Sequence, residues 1–141
     1  MDKQQFAVQL FQAGAIKFGE FQLKTGVISP VYVDLRVLIS YPELVEQVSR
    51  QLRQLILKKV STLCELICGV PYTAIPFASC VSVQSRLPML MRRKEAKEHG
   101  TKQMIEGHFR PGQTTLIIED IISSGRQSLQ LIINETWEVC S

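Results

Sequence analysis

Residues 115–125 read Thr-Leu-Ile-Ile-Glu-Asp-Ile-Ile-Ser-Ser-Gly, and this stretch is the strongest indication of the fold class. Its apolar start predicts a buried strand over residues 114–119. The acidic pair Glu119 and Asp120 ends that strand, and the Ser-Ser-Gly sequence precedes a helix that we expect to begin near Arg126. A buried strand that passes through a polar loop into a helix is typical of a parallel α/β sheet.

Apolar patterns earlier in the chain support the same fold class. Short apolar runs at residues 66–70 and 88–91 alternate with helical patterns, which favours parallel strands joined by helices. A helix is expected over residues 42–59 because apolar side chains recur there at helical spacing, with Ser40 as its N-cap.

The N-terminal part of the chain has a different pattern. Asp2, followed three residues later by Gln5, predicts the start of a short first helix. Residues 14–36 read as short strands joined by turns, because Gly, Ser and Pro separate apolar pairs there. The sequence therefore predicts an α/β fold with a small lobe before the core.

The composition fits one soluble domain. The chain has 141 residues, 45% of them hydrophobic, and is long enough to bury roughly two-thirds of its unfolded surface. No uncharged apolar stretch approaches the ~20 residues that span a bilayer, and no apolar run follows the first residues as in a secretory signal. We therefore expect a cytoplasmic protein whose four cysteines, which form no CxxC pair, are reduced core thiols rather than disulfides or metal ligands.

Basic residues are concentrated in one segment. The net charge of +3 is too weak to argue for a nucleic-acid partner, but five of the sixteen Lys and Arg residues fall within residues 92–102, the charged segment. A local cationic loop suggests a small anion as ligand, whereas a solvated charged loop is the alternative. A nucleic-acid-binding module is disfavoured because no aromatic platform accompanies these basic residues.

The polar loop after the decisive strand carries two kinds of ligand group at the strand's carboxyl end, where α/β sheets collect ligands. Glu119 and Asp120 can accept hydrogen bonds from vicinal ribose hydroxyls. Ser123, Ser124 and the backbone N–H groups of the following helix start suit a terminal phosphate, and Gly125 permits close approach. A phosphorylated ribose would suit both the acidic pair and the Ser-Ser-Gly segment. The alternative interpretation is that the two acids are solvated and stand beside an ordinary capped helix.

Residues 115–125 resemble the phosphoribosyl-diphosphate signature of the type I phosphoribosyltransferases. Three further stretches extend the resemblance: Phe-Gly-Glu-Phe-Gln-Leu-Lys-Thr-Gly at 18–26, Ser-Pro-Val-Tyr-Val-Asp at 29–34 and Cys-Gly-Val-Pro-Tyr-Thr-Ala at 68–74. The most specific stretch is Arg-Lys-Glu-Ala-Lys-Glu-His-Gly at 93–100. Together they resemble the orotate phosphoribosyltransferase family, including the N-terminal half of animal bifunctional UMP synthases.

The resemblance implies roles for individual residues. Substrate contacts are implied for Lys24 and the backbone of Tyr32 and Val33, in a small N-terminal hood lobe. Tyr72 and Thr73 follow the loop that approaches the diphosphate. The implied catalytic residues, four of them in a mobile loop that closes over the neighbouring subunit, are Arg93, Lys94, Lys97, His99 and Asp120. The implied ribose-5-phosphate cradle comprises Glu119, Asp120, Ile121, Ile122, Ser123, Ser124, Gly125, Arg126 and Gln127.

The resemblance also implies the reaction. A 5-phosphoribosyl group would pass from phosphoribosyl diphosphate to orotate, giving orotidine 5′-monophosphate and pyrophosphate in pyrimidine biosynthesis. Mg²⁺ is the implied cofactor, bound mainly through the substrate diphosphate, so that no metal-ligating side chain is expected. Lys97 and His99 could donate to the departing diphosphate, and no covalent nucleophile is required. A homodimer is implied, without nucleic-acid or membrane partners.

The chain departs from the family after Leu131. Family members continue with further sheet strands, one of which supplies an arginine to orotate, and residues 134–141 look atypical. We therefore expect a single, C-terminally truncated domain over residues 1–141, with the N-terminal helix and hood in 1–36, the core in 37–135 and the late strands missing. The alternative to an enzyme is a non-catalytic module that binds phosphoribosyl diphosphate or dimerises.

Overall fold

The computed structural model describes residues 2–23, 26–59, 64–93 and 104–120. The chain divides into two compact units, Met1–Val45 and Glu46–Ser141. Within the described ranges, no helix combines the length and the apolar character needed to cross a membrane.

The first unit contains a helix and a β-hairpin. Its elements are α1 (Lys3–Gln12), β1 (Ile16–Gln22), β2 (Ile28–Val33) and a 3₁₀ helix (Leu35–Ser40). The Asp2 carboxylate caps α1 by accepting the Gln4 N–H at 3.0 Å, which confirms the predicted helix start. β1 and β2 pair antiparallel, with an irregularity between Phe18 and Phe21. The expected short strands before residue 36 are therefore present.

The helix α2 (Pro42–Lys59) has the predicted length, but its predicted cap is wrong. Ser40 ends the preceding 3₁₀ helix and is not the residue before α2. That residue is Tyr41, whose carbonyl accepts the N–H groups of Leu44 and Val45 at 3.0 Å each. Proline at the first helical position fits this start, because its missing N–H would have no intrahelical partner there.

The second unit is built on a mostly parallel sheet. Its elements after α2 are β3 (Leu66–Gly69), α3 (Ala74–Ser85), β4 (Met89–Arg92), β5 (Ile105–Glu106) and β6 (Thr115–Ile118). The strand order is β5-β4-β3-β6. β3 pairs in parallel with β4 and with β6, whereas the short β5 is antiparallel to β4. The predicted parallel α/β sheet is confirmed, and β5 was not foreseen.

Apolar side chains cover both faces of this sheet. On one face, Ile67 and Ile118 pack with Ile56 of α2 and with Ala78 and Val81 of α3. The opposite face carries a second buried cluster formed by Leu66, Cys68, Leu90 and Ile105. Side chains alternate between the faces along each strand, so a strand buried on both sides needs the near-continuous apolar run seen in the sequence.

Candidate functional site

The carboxyl ends of the parallel strands define one edge of the sheet, the carboxyl edge. Gly69, the last residue of β3, lies opposite Met91 of β4 and Ile118 of β6. The residues that follow these three strands therefore emerge side by side. Predicted site residues follow the carboxyl end of each strand: Tyr72 and Thr73 after β3, Arg93 after β4, and Glu119 and Asp120 after β6.

A backbone hydrogen bond joins the carboxyl ends of β3 and β6. The N–H of Val70, directly after β3, donates to the carbonyl of Ile118 at 2.9 Å. This bond continues the β3–β6 ladder beyond the last paired residues, and so it holds the start of the loop at residues 70–73 beside the start of the acidic pair. Sequence alone predicted both segments, but their adjacency depends on β6 pairing with β3.

The loop at residues 70–73 has a buried base and an exposed tip. Val70 is buried, whereas Tyr72 is 67% exposed. The peptide bond between Pro71 and Tyr72 is cis. Thr73 immediately precedes α3, and the carbonyls of Val70 and Tyr72 accept the first N–H groups of that helix, from Ala74 and Ile75. The helix start thus fixes the loop backbone.

Gly69 permits the close packing that positions this loop. A Cβ atom at residue 69 would lie 2.9 Å from the Ala78 Cβ and 3.0 Å from the Ala74 carbonyl oxygen. Real Cβ atoms essentially never approach so closely, so the first turns of α3 can rest on the end of β3 only because this residue is glycine.

The acidic pair leaves β6 at partly buried positions. Ile118 belongs to the core, and Glu119 and Asp120 follow it directly. Carboxylates at this position can accept hydrogen bonds from the hydroxyls of a sugar lying on the carboxyl edge. Within the described ranges, no group of three or more His, Cys, Asp or Glu side chains could hold a metal ion.

Arg93 is bonded through its backbone to Met104, the residue before β5, and through its side chain to Glu106 of β5. Its N–H donates to the Met104 carbonyl at 2.8 Å, and its Nη1 lies 3.2 Å from the Glu106 Oε1. Sequence reasoning singled out Arg93 but missed Glu106. The only sequence signal was an acid shortly after the charged segment, and the pairing required the unforeseen β5.

Tyr32 and Val33 lie on β2, in the first unit. The Tyr32 ring packs against Phe21 at a centroid distance of 5.3 Å, and its hydroxyl accepts a hydrogen bond from Arg36 Nη2 at 3.4 Å. Arg36 also donates to both carboxylate oxygens of Asp34, at 2.7 and 2.9 Å. These bonds hold the pKa of Asp34 below its ordinary value. Arg36 therefore supports the Tyr32 hydroxyl, a contact that the sequence did not indicate.

The remaining predicted site residues lie outside the described residues and stay predictions. They are Lys24, Lys94, Lys97, His99, Ile121, Ile122, Ser123, Ser124, Gly125, Arg126 and Gln127.

Comparison with known sequences identifies relatives, although no family model matches the chain. The chain is 50% identical over 116 residues to Uridine 5′-monophosphate synthase of Bos taurus, covering 82% of this chain and 24% of the relative. It is 41% identical over 133 residues to Orotate phosphoribosyltransferase of Caenorhabditis elegans, covering 92% of this chain and 58% of the relative. The chain thus spans less than two-thirds of either relative.

Comparison of structures gives the same result for the fold. The UMP synthase of Leishmania donovani superposes with a TM-score of 0.82 at 34% identity, over 97% of this chain and 30% of that one. The fold, with its parallel sheet and its acidic pair at the carboxyl edge, is that of a type I phosphoribosyltransferase. Within this class, the chain is similar over most of its length to orotate phosphoribosyltransferases and UMP synthases, which confirms the resemblance seen in the sequence.

Proposed function

We propose that this chain transfers a 5-phosphoribosyl group from phosphoribosyl diphosphate to orotate, yielding orotidine 5′-monophosphate and pyrophosphate. The observation that carries the proposal is the Val70–Ile118 hydrogen bond of 2.9 Å, which joins the loop at residues 70–73 to the acidic pair. The relatives' names, orotate phosphoribosyltransferase and UMP synthase, support the choice of orotate as the acceptor.

The acidic pair is proposed to hold the ribose. Asp120 and Glu119 offer acceptors to the vicinal hydroxyls, and a charge-assisted hydrogen bond is stronger than a neutral one. The Ser123, Ser124 and Gly125 segment would receive the 5-phosphate, because a helix start with free N–H groups favours an anion. Holding the sugar by both ends fixes the anomeric carbon for attack by a ring nitrogen of orotate.

The diphosphate is proposed to lie against the loop at residues 70–73 and the cations of the charged segment. The bond to the anomeric carbon breaks with oxocarbenium character, so negative charge grows on the leaving pyrophosphate. Arg93, Lys94, Lys97 and His99 would neutralise that charge, and each well-placed donor is worth on the order of 2 to 4 kcal/mol of barrier. Tyr72 and Thr73 are proposed as contacts from the loop.

Mg²⁺ is proposed to enter with the substrate. The hard oxygens of a diphosphate are good Mg²⁺ ligands. When bound, Mg²⁺ would supply positive charge beside the leaving pyrophosphate.

The acceptor site is proposed on the family resemblance. Lys24 and the backbone of Tyr32 and Val33 are the proposed substrate contacts of the first unit. A homodimer, with the charged segment contributed to the neighbouring subunit, is proposed on the same basis. It predicts a sedimenting mass of twice the 16.0 kDa chain, and a monomeric mass would contradict it. A cytoplasmic location is proposed because Cys64, Cys68 and Cys80 are free thiols, as a reducing compartment favours.

The direct test is turnover. The purified chain, incubated with orotate, phosphoribosyl diphosphate and Mg²⁺, should consume orotate and release pyrophosphate in equal amounts, and omission of any one component should stop the reaction. Binding of phosphoribosyl diphosphate without orotate consumption would instead identify a non-catalytic binding module. A folded chain that neither binds nor reacts would refute the proposed function.

A further inference from the structure

The paired strands β4 and β5 bring an acid next to the first cation of the predicted catalytic loop. Met91 lies opposite Glu106 and Arg92 opposite Ile105. The Arg93 N–H to Met104 carbonyl bond, at 2.8 Å, extends this pairing by one residue. The backbone at the start of the charged segment is therefore fixed to the backbone that follows it.

The register determines which side chains meet. Opposed residues of an antiparallel pair share a face, and alternate residues of one strand return to that face. Glu106 thus lies on the face of Met91 and Arg93, diagonal to Arg93 and within reach of a long side chain. Ile105, on the other face, belongs to the buried cluster, which anchors β5 in this register.

The ion pair holds the guanidinium without enclosing it. Arg93 Nη1 and Glu106 Oε1 are 3.2 Å apart, and the two side chains are 37% and 34% exposed. A guanidinium carries five N–H donors, and this contact uses one. The buried Arg93 Nε has no hydrogen-bond partner among residues 2–23, 26–59, 64–93 and 104–120, so these ranges give it no second anchor. Because the ion pair uses one donor and the Arg93 side chain is 37% exposed, the guanidinium keeps N–H donors for a second, anionic partner.

We propose that Glu106 is a positioning residue for the reaction: it orients the Arg93 guanidinium towards the diphosphate of the substrate. This inference rests on the proposed function. Arginine has many rotamers, and ordering one on binding costs affinity. A carboxylate that orders the guanidinium in advance removes part of that cost, as supporting hydrogen bonds do for other binding groups.

Two other roles for the Arg93–Glu106 pair lead to predictions that differ from those of a positioning role. If Glu106 competes with the diphosphate for Arg93, its removal tightens binding. If the pair only stabilises the β4–β5 pairing, exchanging its two charges preserves binding. An exposed Arg–carboxylate pair contributes little to stability, so affinity and stability can be separated by experiment.

The first experiment is calorimetric titration of phosphoribosyl diphosphate with Mg²⁺ into the parent chain and Glu106→Gln. We expect about tenfold weaker binding in the variant, the loss typical of one charge-assisted hydrogen bond, with a nearly unchanged melting temperature. Glu46→Gln is the matched control, because Glu46 pairs with Arg50 at 2.6 Å on the exposed surface of α2. Its affinity should equal that of the parent.

The second experiment exchanges the charges in the double variant Arg93→Glu, Glu106→Arg. The melting temperature should rise again relative to Arg93→Glu alone, whereas the affinity for phosphoribosyl diphosphate should not recover. Equal or tighter binding by Glu106→Gln, or full recovery of affinity in the exchange, would overturn the inference while the proposed function stands. If the folded parent does not bind phosphoribosyl diphosphate, the proposed function fails and the inference with it.

Discussion

Cys68 shows how position in the sheet sets the chemistry of a single side chain. It is fully buried on β3, in the cluster with Leu66, Leu90 and Ile105. Burial raises the pKa of its thiol to about 11, because the thiolate would lose its hydration there. A buried, protonated thiol is a poor nucleophile, so Cys68 acts as a core residue.

The raised pKa predicts a pH-dependent stability. Between the ordinary value of 9.0 and about 11, the unfolded chain releases the Cys68 proton while the folded chain keeps it. The stabilisation is complete below the lower value and is lost as pH rises through the higher one, a total of about 2 to 3 kcal/mol. Urea unfolding of the parent and Cys68→Ala across this range measures the effect. The same pH dependence in both proteins would show that Cys68 does not contribute.

Residue identity alone predicted some site residues and missed others. Glu119 and Asp120 could be predicted because an acidic pair directly after an apolar strand must lie at a strand end. Glu106 and Arg36 could not, because their relevance arises from their partners. The Arg93–Glu106 contact requires the β4–β5 register, and the Arg36–Tyr32 contact requires the turn after β2.

At the scale of elements, the packing of α3 on β3 depends on the space at Gly69. Gly69→Ala would place a methyl group against Ala78 and the Ala74 carbonyl, so α3 must move away from the strand. We expect a loss of roughly 1 to 3 kcal/mol in unfolding free energy. Weaker binding of phosphoribosyl diphosphate should accompany it, because the loop at residues 70–73 joins these two elements.

Thermal unfolding and calorimetry of Gly69→Ala measure both effects. The double variant Gly69→Ala, Ala78→Gly is the matched comparison, because it removes the 2.9 Å contact but leaves the Ala74 carbonyl at 3.0 Å. It should recover part of the loss. A Gly69→Ala chain as stable as the parent would contradict the close-packing argument.

Elements with a local signal were predicted, and elements set by distant contacts were not. Helix α1 has its cap in Asp2, and β3 and β6 are apolar runs, so each could be read from adjacent residues. The 3₁₀ helix at Leu35–Ser40 was missed, and the error moved the predicted cap of α2 to Ser40. β5 has two residues, too few for a period, and exists through its pairing with β4.

At the scale of the whole molecule, fold and function are separate conclusions. One fold supports many chemistries, so the type I phosphoribosyltransferase fold does not by itself select a substrate. The similarity to orotate phosphoribosyltransferases and UMP synthases narrows the choice of substrate. The predicted site residues Tyr72, Thr73, Glu119 and Asp120 follow strands at the carboxyl edge of the second unit. Within the described ranges, β3 is the strand that pairs with β6, and it helps to position the acidic pair that follows β6.

The affinity of the chain for phosphoribosyl diphosphate with Mg²⁺, compared between the parent and Asp120→Asn, shows whether the acidic pair holds the ribose. An amide accepts ribose hydroxyls less strongly than a carboxylate, so we expect about tenfold weaker binding or more, with unchanged melting. Asp2→Asn is the matched control, because asparagine caps a helix as well as aspartate does, and it should bind like the parent. Equal affinity of the parent and Asp120→Asn would contradict the claim that the acidic pair at the carboxyl edge holds the ribose.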